Sequence, residues 1–277
     1  MKKVVLSLSL FGALTALLFA GGALAAARDS HIVVVTLDNQ HGWTTADTRP
    51  GGTVSFVTDP SAPRGKGALQ LTTDLTTTAK AQYLHPASTP LADVTQLSYW
   101  TQQLFPPGPV ADPSYQLVMC LNGVTATGCA PQTAPGTGTG FTTLVYEPYQ
   151  GGQGVVLPNI WQKWNIDSAG LFWSTRTVVC SNGVVAGTPG GPSTYTITTV
   201  KTLCPNAVVV QFGVNIGSNN PGYVVRTDLF NFNGTVYDFE PTRNHHGDDG
   251  GGDDDQGGGD HGGGDQGGGG DQGDNDG

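Results

Sequence analysis

Apolar side chains in this chain recur at every second position or in short β-branched runs, and hardly ever at the three-to-four-residue spacing of a helix. In the stretch Ser114–Cys120, Tyr115, Leu117 and Met119 fall on one face of an extended strand, with Gln116 and Val118 on the other. Val208, Val209 and Val210, followed by Phe212, Val214 and Ile216, read as a central strand covered on at least one face. The segment around Asn233-Gly234, between Phe230 and Tyr237, reads as a hairpin, because both central residues of a type I′ turn need positive φ. The same alternation predicts strands over 32–37, 53–57, 68–72, 96–102, 141–146, 161–166, 194–200, 223–232 and 235–239. Turn clusters such as Arg49-Pro50-Gly51-Gly52, Asn122-Gly123 and Asn182-Gly183 separate them.

About eleven short strands without a strand–helix–strand rhythm predict an all-β fold, an antiparallel two-sheet sandwich of jelly-roll type. One domain over 28–243 is long enough to bury a single core. Before it, Lys2 and Lys3 precede an apolar run from Val4 to Ala20 and small residues through Ala27, the pattern of a cleaved export signal over 1–27. No second apolar stretch is long enough to span a bilayer, so the mature chain is expected to be secreted or held at the cell surface, as a monomer. After it, residues 244–277 contain no aliphatic or aromatic side chain and are expected to stay disordered.

Charge changes the picture in one respect. The formal net charge of −10 matches the ten aspartates of the tail, and 28–243 holds ten basic and twelve acidic residues. A nearly neutral domain lacks the basic footprint that nucleic acid requires. The four cysteines, Cys120, Cys129, Cys180 and Cys204, are an even set in an exported chain and predict disulfides. Local pairing, Cys120 with Cys129 and Cys180 with Cys204, is the economical arrangement, since each pair brackets a turn-rich segment. None has the spacing of a zinc site.

Large aromatics concentrate in one region: Tyr146, Tyr149, Trp161, Trp164, Phe172 and Trp173. An exposed indole or phenol ring offers a sugar a flat apolar platform with a polar tip, so Tyr146, Tyr149, Trp161, Trp164 and Trp173 are the candidate carbohydrate-binding residues. Their alternative use is as core. Trp161 and Trp164, an odd number apart, should lie on opposite sheet faces. Asn159, Gln162 and Asn165 are the polar neighbours available beside them. Catalysis finds little support: Glu147 is the one carboxylate beside the aromatics, whereas a glycosidase needs two. No nucleophile elbow or zinc-protease motif is present. Asp38, Asp228 and Asp238, near the two ends of the domain, leave a structural calcium ion open as an alternative to no cofactor at all.

Two resemblances follow from particular residues. His41-Gly42-Trp43, then Pro63 to Leu71 (Pro-Arg-Gly-Lys-Gly-Ala-Leu-Gln-Leu), Leu97-Ser98-Tyr99-Trp100 and the closing Val225-Arg226-Thr227-Asp228-Leu229 resemble secreted jelly-roll modules of the carbohydrate-binding type. Leu144 to Tyr149, Trp161 to Trp164, Trp173 to Arg176, Phe212 to Asn215 and Asn233 to Glu240 resemble a family of exported bacterial proteins of uncharacterised function, over nearly all of 30–241. The cysteine pairs and the Asp-Gly tail depart from that pattern. These resemblances imply the fold and export. The expected function is non-catalytic binding of glycan or cell-wall polysaccharide, with two rivals: a structural surface or matrix protein whose tryptophans are all core, and a polysaccharide hydrolase.

Overall fold

The computed structural model describes residues 31–106, 111–166 and 169–242. The expected signal over 1–27 and the expected disordered tail over 244–277 lie outside the described residues. Fourteen strands are present among the residues described. In chain order the first seven are β1 (His31–Val35), β2 (Gly52–Thr58), β3 (Gly67–Thr73), β4 (Ala81–Pro90), β5 (Leu97–Phe105), β6 (Ser114–Cys120) and β7 (Phe141–Tyr146). The rest are β8 (Gln162–Asn165), β9 (Phe172–Ser174), β10 (Val178–Cys180), β11 (Gly183–Val185), β12 (Val208–Ile216), β13 (Val224–Phe232) and β14 (Thr235–Phe239). A seven-stranded sheet holds β1, β14, β13, β3, β2, β5 and β8, and a five-stranded sheet runs β4-β12-β6-β7-β9. Among the described residues all pairings between strands are antiparallel except β1 with β14. From β3 to β6, from β7 to β9, and again from β12 to β13, the chain steps from one sheet to the other. The result is a β-sandwich of jelly-roll type, as the alternation predicted.

Alternation decides which side chains meet between the sheets. Tyr115, Leu117 and Met119 of β6 and Phe212, Val214 and Ile216 of β12 all enter the core. At its centre lies Trp43, which comes from a loop. His41 and Gly42 both take positive φ, +48° and +90°, and that turn directs the indole inward. Trp43 stacks on Tyr83 of β4 at 5.2 Å between ring centroids, and meets Phe212 of β12 edge-on at 5.7 Å. From the opposite sheet it meets Phe230 at 5.4 Å and both Tyr237 and Phe239 at 5.2 Å, again edge-on. One indole thus joins both sheets. Further along, Tyr115 stacks on Phe230 at 4.2 Å, and its hydroxyl donates to Asn231 O at 2.8 Å.

The Asn-Gly hairpin forms as read, with Asn233 at φ +53° and Gly234 at +93°. Both disulfides pair locally, Cys120–Cys129 with Cα atoms 5.7 Å apart and Cys180–Cys204 at 5.1 Å. One predicted strand fails, and four strands, β4, β9, β10 and β11, were not predicted. The stretch 194–200 is not a strand: a helix, α1 (Ile197–Leu203), starts within it. Thr196 caps it by accepting the Thr199 N–H at 3.1 Å, Ile197 and Val200 go inward, and the Cys204 disulfide holds its end. Those local anchors override the β preference of a Thr-Ile-Thr-Thr-Val run. Conversely β4 escapes the alternation pattern because it carries Pro86 and Pro90, which an edge strand tolerates.

The core also encloses an acid. Thr101 Oγ1 donates to Asp112 Oδ2 and accepts from Trp164 Nε1 at 2.7 Å. Asp112 Oδ1 has no partner among the described residues, and burial pushes the carboxyl up to about 8 despite the Thr101 bond.

Two outcomes are expected. Trp43→Ala should cost about 3–5 kcal/mol in denaturant unfolding, as deletion of a buried indole leaves a cavity between the sheets. Trp43→Phe should cost clearly less, because it also removes a buried N–H that has no acceptor among the described residues. For Asp112, the unfolded chain releases its proton near the ordinary value of 3.8 and the folded one only near 8, so stability falls as pH rises through that window. Thermal melts from pH 4 to 9 should show this decline, and Asp112→Asn should flatten it and melt several degrees higher than the parent at the alkaline end. An unchanged slope in the variant would show that Asp112 is ionised in the fold.

Candidate functional site

The five-stranded sheet has a second face, turned away from the core, and it forms the floor of a groove. Its side chains are those that alternate with the core residues. One row crosses all five strands by register: Leu84 of β4, Gly213 of β12, Gln116 of β6, Val145 of β7 and Trp173 of β9. A Cβ at Gly213 would lie 2.1 Å from Tyr83 O, so the β12 position of that row admits no side chain. The next row, Gln82, Asn215 and Ser114, is polar. On the other side Gln211, Val118 and Thr143 continue the floor.

Walls rise around it. Asp47 and Arg49 stand beside β4, Pro189 and Arg176 beside β9, and the 217–220 turn closes one end. Two adjoining hollows of about 510 and 400 Å³ share Gln116, Val145, Trp173, Pro189, Asn215 and Ser218, and so make one groove. It is deep enough that Gln82, Gln116, Val118 and Asn215 are buried although they face away from the core.

Amides dominate the floor chemically. Asn215 Nδ2 donates to Gln82 Oε1 at 3.1 Å, and Gln82 Nε2 donates to Ala46 O at 3.2 Å, which fixes both planes. Gln116 Nε2 donates to Ser114 Oγ at 3.5 Å, and Gln116 lines both hollows. The Gln211 amide has no hydrogen-bond partner among the described residues. Such groups offer both donors and acceptors.

The aromatic edge is held by Glu147. Trp173 Nε1 donates to Glu147 Oε2 at 2.8 Å, Tyr149 OH donates to the same oxygen at 3.3 Å, and Gln150 Nε2 donates there too. One carboxylate thereby orients two rings at the groove's rim, Trp173 half-buried and Tyr149 exposed. Burial, and then the neighbouring Glu147 charge, push the Tyr149 hydroxyl up to about 12.

The sequence candidates therefore divide. Tyr149 and Trp173 line the groove. Tyr146 and Trp164 are core residues: Tyr146 is fully buried and Trp164 ties its N–H to Thr101. Trp161 lies against the seven-stranded sheet instead, where its Nε1 donates to Asp59 Oδ2 at 3.2 Å beside the Arg226–Asp59 ion pair. Its neighbour Gln162 is spent on the backbone of Leu157 and Val155, away from the groove. Opposite faces for Trp161 and Trp164 follow the strand geometry. The floor amides and the wall cations were missed. The one legible trace was Gln116 beside Tyr115 and Leu117, on the non-core face of β6.

The carboxylates considered for calcium do not gather into one cage. Asp38 is exposed, Asp238 accepts from Arg64 Nε at 2.9 Å, and Asp228 accepts from Phe239 N–H at 3.0 Å. Glu240 accepts from Lys66 N–H at 3.1 Å. Burial raises Asp228, Asp238 and Glu240 above the usual carboxylate range, and Arg64 supplies the nearest balancing charge for Asp238. Among the described residues no set of three or more His, Cys, Asp or Glu is placed to hold a metal ion. No described helix is long and apolar enough to cross a membrane.

No protein-family model matches the chain, and no curated protein matches it. Among solved structures it is similar to the family 11 carbohydrate-binding module of a cellulosomal cellulase from Clostridium thermocellum, at 11% identity and a TM-score of 0.39, covering 74% of this chain and 94% of that one. It is also similar to a family 11 module from the same organism in complex with a β-1,3-1,4-mixed-linked tetrasaccharide, at 10% identity and a TM-score of 0.38, over the same shares of each chain.

Proposed function

We propose that this protein is an exported, non-catalytic β-sandwich that binds polysaccharide in the groove of its five-stranded sheet. The observation that carries this reading is the join between Trp173 and Tyr149, oriented by Glu147, and a floor of fixed amides. A pyranose ring has an apolar C–H face and a rim of hydroxyls that both donate and accept. A half-exposed indole suits the first, and Gln116, Gln211 and Asn215 suit the second.

Binding without hydrolysis is supported by the carboxylates. Asp47 lines one hollow and Glu147 the other, and one Glu147 oxygen receives three donors. A glycosidase needs two carboxyls flanking one bond, one of them free to carry a proton. Export is supported by the two disulfides and by the charged and apolar pattern at the N-terminus. The structural rival required every tryptophan to be core, whereas Trp100, Trp161 and Trp173 are all partly exposed.

Affinity electrophoresis and titration calorimetry against a panel of soluble polysaccharides, with assay of released reducing ends, test this. At least one polysaccharide should retard the protein without being cut. Trp173→Ala and Tyr149→Ala should each weaken that binding about tenfold or more, a loss of roughly 1.4 kcal/mol, with the melting temperature little changed. Retardation by none of the panel, or full affinity in Trp173→Ala, would overturn the assignment.

A further inference from the structure

The groove carries a charge pattern that a neutral sugar chain does not explain. Arg49, Lys80 and Arg176 all line the larger hollow, against one carboxylate, Asp47. None of the three cations is in an ion pair: the ion pairs among the described residues are Arg64–Asp238 and Arg226–Asp59, both elsewhere. Overall charge does not account for them, since residues 28–243 carry more acid than base.

Two of the cations are pressed together by the backbone. Arg49 and Lys80 form an isolated antiparallel bridge, with Arg49 N–H donating to Lys80 O at 2.9 Å. Directly opposed residues in such a bridge put their side chains on one face, and like charges there destabilise the fold. Ser218 holds the guanidinium in place, accepting from Arg49 Nη1 at 2.8 Å. Lys80 is half-buried, and no acceptor meets its ammonium group among the described residues. Burial is the first cause lowering its pKa, with Arg49 adding to the effect and Asp47 opposing it. A half-buried ammonium and a tethered guanidinium side by side make a receptor for an oxyanion, which would reduce the repulsion on arrival. Arg176 stands over the Phe141 ring at 5.1 Å on the far wall, where it can meet a second acidic unit of the same chain.

We propose that the groove takes an acidic polysaccharide, one of whose anionic groups is received by the Arg49–Lys80 pair. This rests on the polysaccharide reading above and names its ligand class. Carboxylate, sulfate ester and phosphodiester share the chemistry required.

The test is calorimetric titration of the mature full chain with polygalacturonate and with its fully methyl-esterified form, which share a backbone and differ in charge. Dextran sulfate and a polyglycerol phosphate supply the sulfate and phosphate arms, and a neutral β-glucan is the control. At least one acidic polymer should bind about tenfold or more tightly than the neutral ones, and the tightest arm identifies the anionic group. Lys80→Met and Arg49→Gln should each remove most of that preference, while Trp173→Ala weakens acidic and neutral chains alike. Lys80→Met should melt no lower than the parent, since it deletes a like charge, so its loss of preference is not unfolding. Equal affinity for acid and ester with no gain for sulfate or phosphate, or a preference that survives both substitutions, overturns the proposal. Tight binding to neutral glucan alone would overturn the acidic ligand and leave the groove as a polysaccharide site. No binding to any polymer would overturn the groove reading itself.

Discussion

The packing of one loop-borne indole between two sheets is the contact on which the rest of this structure depends. Trp43 touches rings from β4 and β12 on one side and from β13 and β14 on the other. Edge-to-face and stacked rings at these distances add specific attraction to their large burial. Because the indole arrives from the turn at His41-Gly42, it closes the sandwich without using a strand position. Both sheets are thereby held at a separation that leaves their outer faces free for other work.

The five-stranded sheet uses that freedom. Its strands have period two, so every residue that fills the core has neighbours that cannot reach it. On β6 and β12 those neighbours are Gln116, Val118, Gln211 and Asn215, and they end up on a groove floor. Core and site are therefore two readings of the same strands. Stability selects one set and leaves the other open to polar chemistry. The cost appears as buried amides that must find partners, which Asn215 finds in Gln82 and Gln82 in the Ala46 carbonyl.

The rim is organised by a different force. Glu147 gathers Trp173, Tyr149 and Gln150 through hydrogen bonds to one carboxylate oxygen. These charge-assisted bonds orient the two rings at the rim. Opposite them, Arg49 and Lys80 lie side by side, neither in an ion pair among the described residues. The groove thus has a positive corner on the β4 side and an aromatic one on the β7–β9 side.

Much of this protein was determined by the sequence alone. Period-two alternation dictates strands and their inward faces, and the Asn233-Gly234 pair dictates its hairpin because glycine and asparagine tolerate positive φ. The nearness of each cysteine to its partner in the chain makes local disulfides economical. These are short-range constraints, legible wherever one residue restricts its neighbours. Tertiary structure alone decided the rest. The Thr-rich stretch at 194–200 became part of a helix because a cap, two core contacts and a disulfide outweighed its β preference. The aromatic candidates separated into core (Tyr146, Trp164), opposite sheet (Trp161) and groove (Tyr149, Trp173), because ring type does not encode which sheet a strand joins. The groove joins residues from Asp47 to Asn220, and its floor is set by the register of five strands drawn from distant parts of the chain. Pairing at that range depends on the packing of the whole core, and no local pattern carries it.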